Sequence, residues 1–535
     1  MEHSALHAAQ LLGLILAVAG PFLVLVLLRP TGGRPEWEAG VARWTMLGAL
    51  IAAGGGALDF FVQVAEIESK TLFGGVDLAT VHRFATTTTV GQLGLARIGV
   101  LLLVAGAARL TIRSRWWLAL ALALAAVVLT SLVSHAAAQP VERITFISLQ
   151  IAHITAAALW IGVLLHLWLN RRQFTKDAPE ECRALSQLIN RFSPFALAVA
   201  ALLALSGVYT AFRYLVLPIS VPTSAYGLTL LVKLALILPV LHAGRKNWRE
   251  TRPALAAAAT GGGVMARQNA LVRFRHFLEL EVTAGVLVVT LAGIVGSVSP
   301  PGADPRIRLT TAQTVALLQP DLPTTRVVDP ATFYGATERG LDDLRYAEFT
   351  HNWSGLMVIL LGSLWFAQSL RGRWSGAATK AWPWLMVPFA VFVAVASDPE
   401  VWLLRRVSLK EAFTSPQLLE HQLGAVMVLL MIWLGWRDLK KPIERRPLGY
   451  ALPVIMIVGS LLLLGHAHSS IGETEELTNL VNVQHAIFGG LGLFAGVARW
   501  LQLRGLFAER HARWFWPACV MGVGVFMAFF YREVV

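Results

Sequence analysis

Residues 8–28 read AAQLLGLILAVAGPFLVLVLL and carry no charge, and a run of that length crosses a hydrocarbon core of ~30 Å as one helix. In lipid every backbone N–H and C=O must be satisfied within the segment, so a continuous apolar run is read as a helix. The pattern recurs. Fourteen such runs lie near 8–28, 44–64, 89–110, 116–133, 144–169, 192–217, 225–241, 277–298, 349–370, 381–397, 422–436, 450–464, 485–501 and 514–530. Strands of an outer-membrane barrel would show ~10 residues of alternating polarity, and these runs are longer and unbroken. The expected fold class is all-α: a polytopic membrane protein of about 14 transmembrane helices in two bundles of eight and six.

The chain has 45 Lys and Arg against 32 Asp and Glu, with 14% charged residues and a mean hydropathy of +0.61. The basic residues collect in every second loop, as at Arg109, Arg113 and Arg115, or Arg245, Lys246, Arg249 and Arg252. By the positive-inside rule these loops are cytoplasmic, which puts both termini outside. The charge of +13 is what that bias produces, so it is no nucleic-acid footprint. No G-x-x-x-x-G-K-[ST] loop occurs, which argues against nucleotide binding. Cys182 and Cys519 form no C-x-x-C pair, and nothing points to an enzyme. The first run has no basic leader and is read as a retained span.

A connection from about Ser299 to Tyr346, rich in Pro, Asp, Thr and Gly, is long for a compact bundle. It divides the chain into a membrane domain at 1–301, a periplasmic linker or flap at 302–347 and a second membrane domain at 348–535.

On this topology His135, His153, His351, His421, His466, His468 and His485 all fall at the outer side. One histidine at a helix end is ordinarily an interfacial polar residue, but so many at one depth call for another reading. Imidazole is the commonest protein metal ligand, and ionisable groups at membrane depth mark ion paths or redox sites. In the second domain the five histidines are joined at the rim by Asp398 and Glu400, as possible partners orienting the rings. Gly355, Gly424 and Gly489 each lie about one turn deeper than a histidine, where they admit a close neighbour, whether a helix or a flat cofactor. His166, His242, His276 and His511 are inner and read as packing or headgroup residues. Met1-Glu2-His3 offers an amine and a third-position histidine, a weaker copper-chelating arrangement. Charges within spans form a second set: Asp59, Arg97, Lys233, Glu279 and Glu281. They are expected to pair inside the bundle, with Asp59 and Arg97 as the foremost bridge.

These residues carry a resemblance. Ser134-His135-Ala136-Ala137, followed by the stretch from Leu149 to Leu164 around His153, resembles the core signature of the bacterial copper-resistance D (CopD) family. Gly94 to Arg97, Tyr226-Gly227 with Leu231 and Lys233, Arg245 and Asn247, and a Glu281-bearing helix closing at Ser299-Pro300-Pro301 extend it in order over about residues 1–301. The second domain resembles the C-terminal extension of longer members, through His351-Asn352-x-x-Gly355, Ser397-Asp398-Pro399-Glu400-Val401-Trp402, Glu420-His421, His466-Ala467-His468 and Ala495 to Leu501. The resemblance implies copper handling at the inner membrane, with uptake from the periplasm and a copper-binding donor of the CopC type. It carries the ligand role to the seven histidines named. Two departures are visible: no CopC-like β domain is fused, and Gln484 precedes His485 where an acidic residue is expected a little upstream. From the residues two functions stand: a transporter capturing a copper ion at the outer mouth and passing it inward, or a b-type haem electron-transfer protein with histidine pairs on iron. All candidate ligands lie at one face, which favours copper. His135 and His153 are expected to converge on one ion, and His351, His421, His485 with His466 and His468 on another.

Overall fold

The computed structural model describes residues 2–32, 34–67, 75–139, 141–174, 177–261, 263–302, 304, 306–332, 340–370, 373–414, 416–440, 447–465 and 475–535. Among them the chain is helical with no strand. The first bundle consists of α1 (Glu2–Thr31), α2 (Pro35–Ile67), α3 (Thr89–Ala107), α4 (Arg115–Leu132), α5 (Arg143–Leu169), α6 (Pro179–Leu215), α7 (Ala225–Ala259) and α8 (Val264–Val295). The second holds α9 (Leu341–Ser369), α10 (Arg373–Ala396), α11 (Pro416–Lys440), α12 (Ala451–Gly465), α13 (Glu475–Leu503) and α14 (Glu509–Phe529). Thirteen of these helices are long and apolar enough to cross a membrane. The exception is α9, whose apolar stretch is short because Asn352 and Gln368 flank it. The chain is thus an all-α, multi-pass membrane protein.

The sequence of α1 explains its place at the centre of the first bundle. From Leu11 to Leu28 it is apolar on every side, as a helix walled in by other helices must be, and it packs on α2, α4, α5 and α8. Gly13 and Gly48 let α1 and α2 touch backbone to backbone, since a Cβ on either would overlap a carbonyl of the other. Pro21 removes an amide from the ladder, and the following turn, Leu23–Leu28, opens into a π-helix before the chain continues. In the second bundle α13 is the enclosed helix, packed on α12 and α14.

The two bundles are not separate bodies. Val232 and Leu236 of α7 and Leu287, Leu291 and Ile294 of α8 share one apolar cluster with Leu464 of α12 and Ala486 and Leu493 of α13. On the arginine-rich face Arg504 closes the seam with an ion pair to Glu279, Nη2 to Oε2 2.6 Å. At the opposite face the 296–340 connection is fastened to both halves. Leu309 donates its amide to Thr223 (2.8 Å), Gln313 donates to the Glu476 carbonyl (3.0 Å) and Trp353 donates to the Thr324 carbonyl (3.1 Å). Leu309 and Leu317 of its described part pack on Leu480 and Val483 of α13, and a capping box at Thr310 and Gln313 starts its short helix.

Candidate functional site

The beginning of α1, the end of α4 and the end of α8 meet at the histidine face. His3 and His7 are one turn apart on α1, and their rings stack with centroids 6.2 Å apart. His3 Nδ1 lies 2.8 Å from Oδ1 of Asp59 on α2, and Gln63 donates to the other Asp59 oxygen at 2.8 Å. His135, in the turn after α4, lies beside the backbone of Gly296. Its Nε2 is buried with no hydrogen-bond partner. His7 faces the same glycine: a Cβ at position 296 would stand 3.0 Å from His7 Nε2. Burial holds the His135 imidazole below its ordinary range, the backbone of Gly296 opposes this, and the nearby His3 acts in the same direction as burial.

Beneath these rings the polar stripe of α1 continues to Gln10. His7, Gln10, Arg97 and Thr130 line a cavity of about 10 Å³, the scale of a single water. Gln10 Oε1 and Arg97 Nε are buried there without hydrogen-bond partners. A buried polar atom left unpaired costs free energy, so these two atoms mark a place suited to a polar guest. His3, His7 and Gln10 were not among the residues assigned to this site from sequence, His3 having been considered only with the chain terminus. Their signal is the i, i+4, i+7 spacing that places them on one helical stripe.

The expected Asp59–Arg97 bridge does not form. Both side chains are buried, yet Asp59 is taken by His3 and Gln63, and no ion pair joins it to Arg97. Lys233 and Glu281 also fail to pair: Glu281 accepts from Asn247 Nδ2 at 2.8 Å, toward the arginine-rich end, whereas Lys233 lies near His153. His153 itself turns toward α6. Its Nδ1 is 2.9 Å from Ser206 Oγ, and Gly207 gives its ring clearance. His135 and His153 therefore rest against different neighbours, α1 and α8 for one and α6 for the other.

In the second bundle His351 and His485 meet edge to face, ring centroids 6.0 Å apart. Each has Nδ1 2.8 Å from the carbonyl four residues earlier, Ala347 and Val481. In a neutral ring that bond puts the proton on Nδ1 and the lone pair on Nε2. Tyr531 stacks on His351 at 3.9 Å and 13°, held by its hydroxyl on Glu533 at 2.7 Å. His421 Nδ1 is 2.7 Å from Oδ1 of fully buried Asp398. Glu400 is buried in the next turn. His466 and His468 lie outside the described residues. Among the described residues no three His, Cys, Asp or Glu side chains are already gathered as a metal-holding group.

The glycines below these histidines serve mainly helix packing. A side chain at Gly355 would strike the backbone of Gly524 and Ala528 on α14, and one at Gly489 would come within 3.2 Å of the Ser460 carbonyl on α12. The clearance that a porphyrin would need at those two positions is filled by helices. Gly424 has open space.

The two histidine regions share one end of the molecule, since a Cβ at Gly465, the last described residue of α12, would lie 3.3 Å from Ser4 Cβ on α1. Residues 3–143 match the family model described as Copper resistance protein D-like, N-terminal domain. Residues 186–295 match the model described as Copper resistance protein D. No curated protein and no solved structure matches the chain. His3, His7, Asp59, Arg97 and His135 fall within the first match and Lys233 and Glu281 within the second, while α9 to α14 lie beyond both. On the strength of residues 3–143 and 186–295 the chain belongs to the copper resistance D family, whose role is in copper resistance or homeostasis.

Proposed function

We propose that the chain is a copper carrier of the bacterial inner membrane, not an enzyme, with its histidine face and both termini toward the periplasm. Copper is its cargo. The observation that carries this reading is the buried, unpartnered Nε2 of His135 beside His3, His7 and Asp59. Imidazole nitrogen is a good copper donor, and a buried ring nitrogen with no hydrogen-bond partner is open to a cation. Since no three such groups are yet gathered among the described residues, capture closes the imidazoles of α1 and the α4 turn around the ion. The stripe from His7 to Gln10 then offers the next polar contact inward. His351, His485 and His421 with Asp398 are proposed as a second station at the same face. A periplasmic copper protein of the CopC type, the partner that the family resemblance implies, is proposed as the donor. Alternate basic loops support the orientation.

Equilibrium copper titration of the purified full chain tests this, with His3→Ala/His7→Ala/His135→Ala losing one site and His351→Ala/His485→Ala losing another. Unchanged stoichiometry in both variants would refute it. A Soret band that disappears with His421→Ala would instead establish haem b.

A further inference from the structure

At the arginine-rich end, opposite the outer histidines, α2, α3 and α4 enclose an open cavity of about 640 Å³. Arg43, Arg109 and Arg115 point into it, with Glu38 as its acid and Ala42 and Met46 among its apolar walls. The charges do not cancel. Glu38 already takes Arg29 Nε at 3.3 Å and Trp116 Nε1 at 3.1 Å, with Arg115 at 3.8 Å. Neither Arg43 nor Arg109 has a carboxylate partner among the described residues, and both are exposed. An uncompensated guanidinium pair in a cleft focuses potential and draws an anion. Guanidinium is also suited to phosphate oxygens, which it binds through two parallel N–H bonds.

The walls show where that phosphate comes from. Within about two turns on the same helices the surface is bare and apolar: Leu50 and Ile51 on α2 are 42% and 50% exposed, Leu103 on α3 60%, and Trp117 on α4 62%. In a membrane-spanning chain such a surface faces acyl chains. The cavity thus stands at headgroup level with hydrocarbon below it, the arrangement in which basic pockets between spanning helices take acidic lipid headgroups. We propose that the Arg43–Arg109–Arg115 cavity binds the phosphate headgroup of an anionic phospholipid. The inference rests on the chain spanning a membrane and is independent of copper. Bound there, the lipid bridges α2 to α3 and α4, the helices that carry Asp59 and Arg97 and that lead to His135 at their far ends.

The test uses the full chain purified in neutral detergent, with phosphatidylglycerol and phosphatidylcholine as probes and retained lipid measured by native mass spectrometry. Wild type is expected to keep phosphatidylglycerol in preference to phosphatidylcholine. Arg43→Gln/Arg109→Gln should lower that preference about thirtyfold, the effect of removing two basic residues at a membrane surface. Arg43→Lys/Arg109→Lys, which keeps the charge and guards against a folding artefact, should retain most of it. Arg183→Gln, an exposed arginine at the same end outside the cavity, should leave it unchanged. Equal preference in wild type and the double glutamine variant would overturn the proposal. Displacement of the lipid by millimolar inorganic phosphate would also overturn it, because the cavity would then be a soluble-anion site.

Discussion

His421 Nδ1 lies 2.7 Å from the Asp398 carboxylate, and Gln422 holds that carboxylate's second oxygen. Asp398 ends α10 at Ser397-Asp398-Pro399 and is fully buried, while His421 is near the start of α11. The pair joins two helices and sets the ring: with Nδ1–H on the carboxylate, the lone pair sits on Nε2. A carboxylate behind an imidazole is the usual device for orienting a metal ligand and raising its basicity. Asp398→Asn keeps the shape and removes the charge. Copper affinity of the second bundle is expected to fall about 10–100-fold, measured by competition with a chromophoric chelator, with little change in thermal midpoint. Unaltered affinity would leave the pair a structural tie.

Gly296→Ala tests the first bundle without removing a ligand. The added methyl would stand 3.0 Å from His7 Nε2, close enough to displace the ring. The backbone φ is ordinary for any residue, so folding should tolerate the change. Copper binding at His3, His7 and His135 should weaken by at least tenfold, or ~1.4 kcal/mol, while binding to the second bundle stays constant.

The pH dependence follows from His135. Burial lowers its folded pKa below the ordinary ~6.5. A His with a depressed folded value binds more protons when unfolded, so the stability it contributes is full above ~6.5 and is lost as pH falls through the depressed value. A proton likewise competes with copper only in that lower window. Binding at the first bundle should be flat from about pH 8 to about 6.5 and decline below it. Isothermal titration across that range checks the sign, and a decline that starts near pH 8 would contradict it.

Gly355→Ala tests the packing reading of the histidine-associated glycines. The new methyl would meet the backbone of Gly524 and Ala528, and neither can yield by rotating a side chain. Overpacking of this kind costs about 1–3 kcal/mol, which should appear as a lower thermal midpoint in detergent. The same change at Gly424, where space is open, should be nearly silent. Equal effects would remove the distinction.

Much of this architecture could be read from the sequence. Thirteen of the fourteen apolar runs became helices long and apolar enough to cross a membrane, with α9 the exception, because uninterrupted apolar length compels helix formation in lipid. The resemblance carried by residues 134–164, 226–247 and Glu281 foretold the family. Partner choice was less legible. Asp59 and Arg97 sit at similar depth on consecutive spans, yet His3 and Gln63 reach the carboxylate first, a result decided by the packing of α1 on α2. His153 faces α6 because of its rotation about the α5 axis, which span counting leaves undetermined. Gly355 and Gly489 could admit a helix or a cofactor on spacing alone, and the tertiary contacts of α14 and α12 decide for helices. His466 and His468 fall outside the described residues, so their proposed part in the second station rests on the sequence.

The central claim is that buried imidazoles at one face of this membrane bundle capture copper. X-ray absorption at the copper edge, on the purified full chain loaded with one equivalent of copper, tests it most directly. In a chain whose second station is removed by His351→Ala/His421→Ala/His485→Ala, the account expects imidazole scattering with nitrogen at roughly 2.0 Å, a distance borrowed from zinc–histidine sites, and loss of that signal when His3→Ala/His7→Ala/His135→Ala is added. A spectrum without imidazole scattering, or one unchanged by that addition, would contradict the assignment of the first site to His3, His7 and His135.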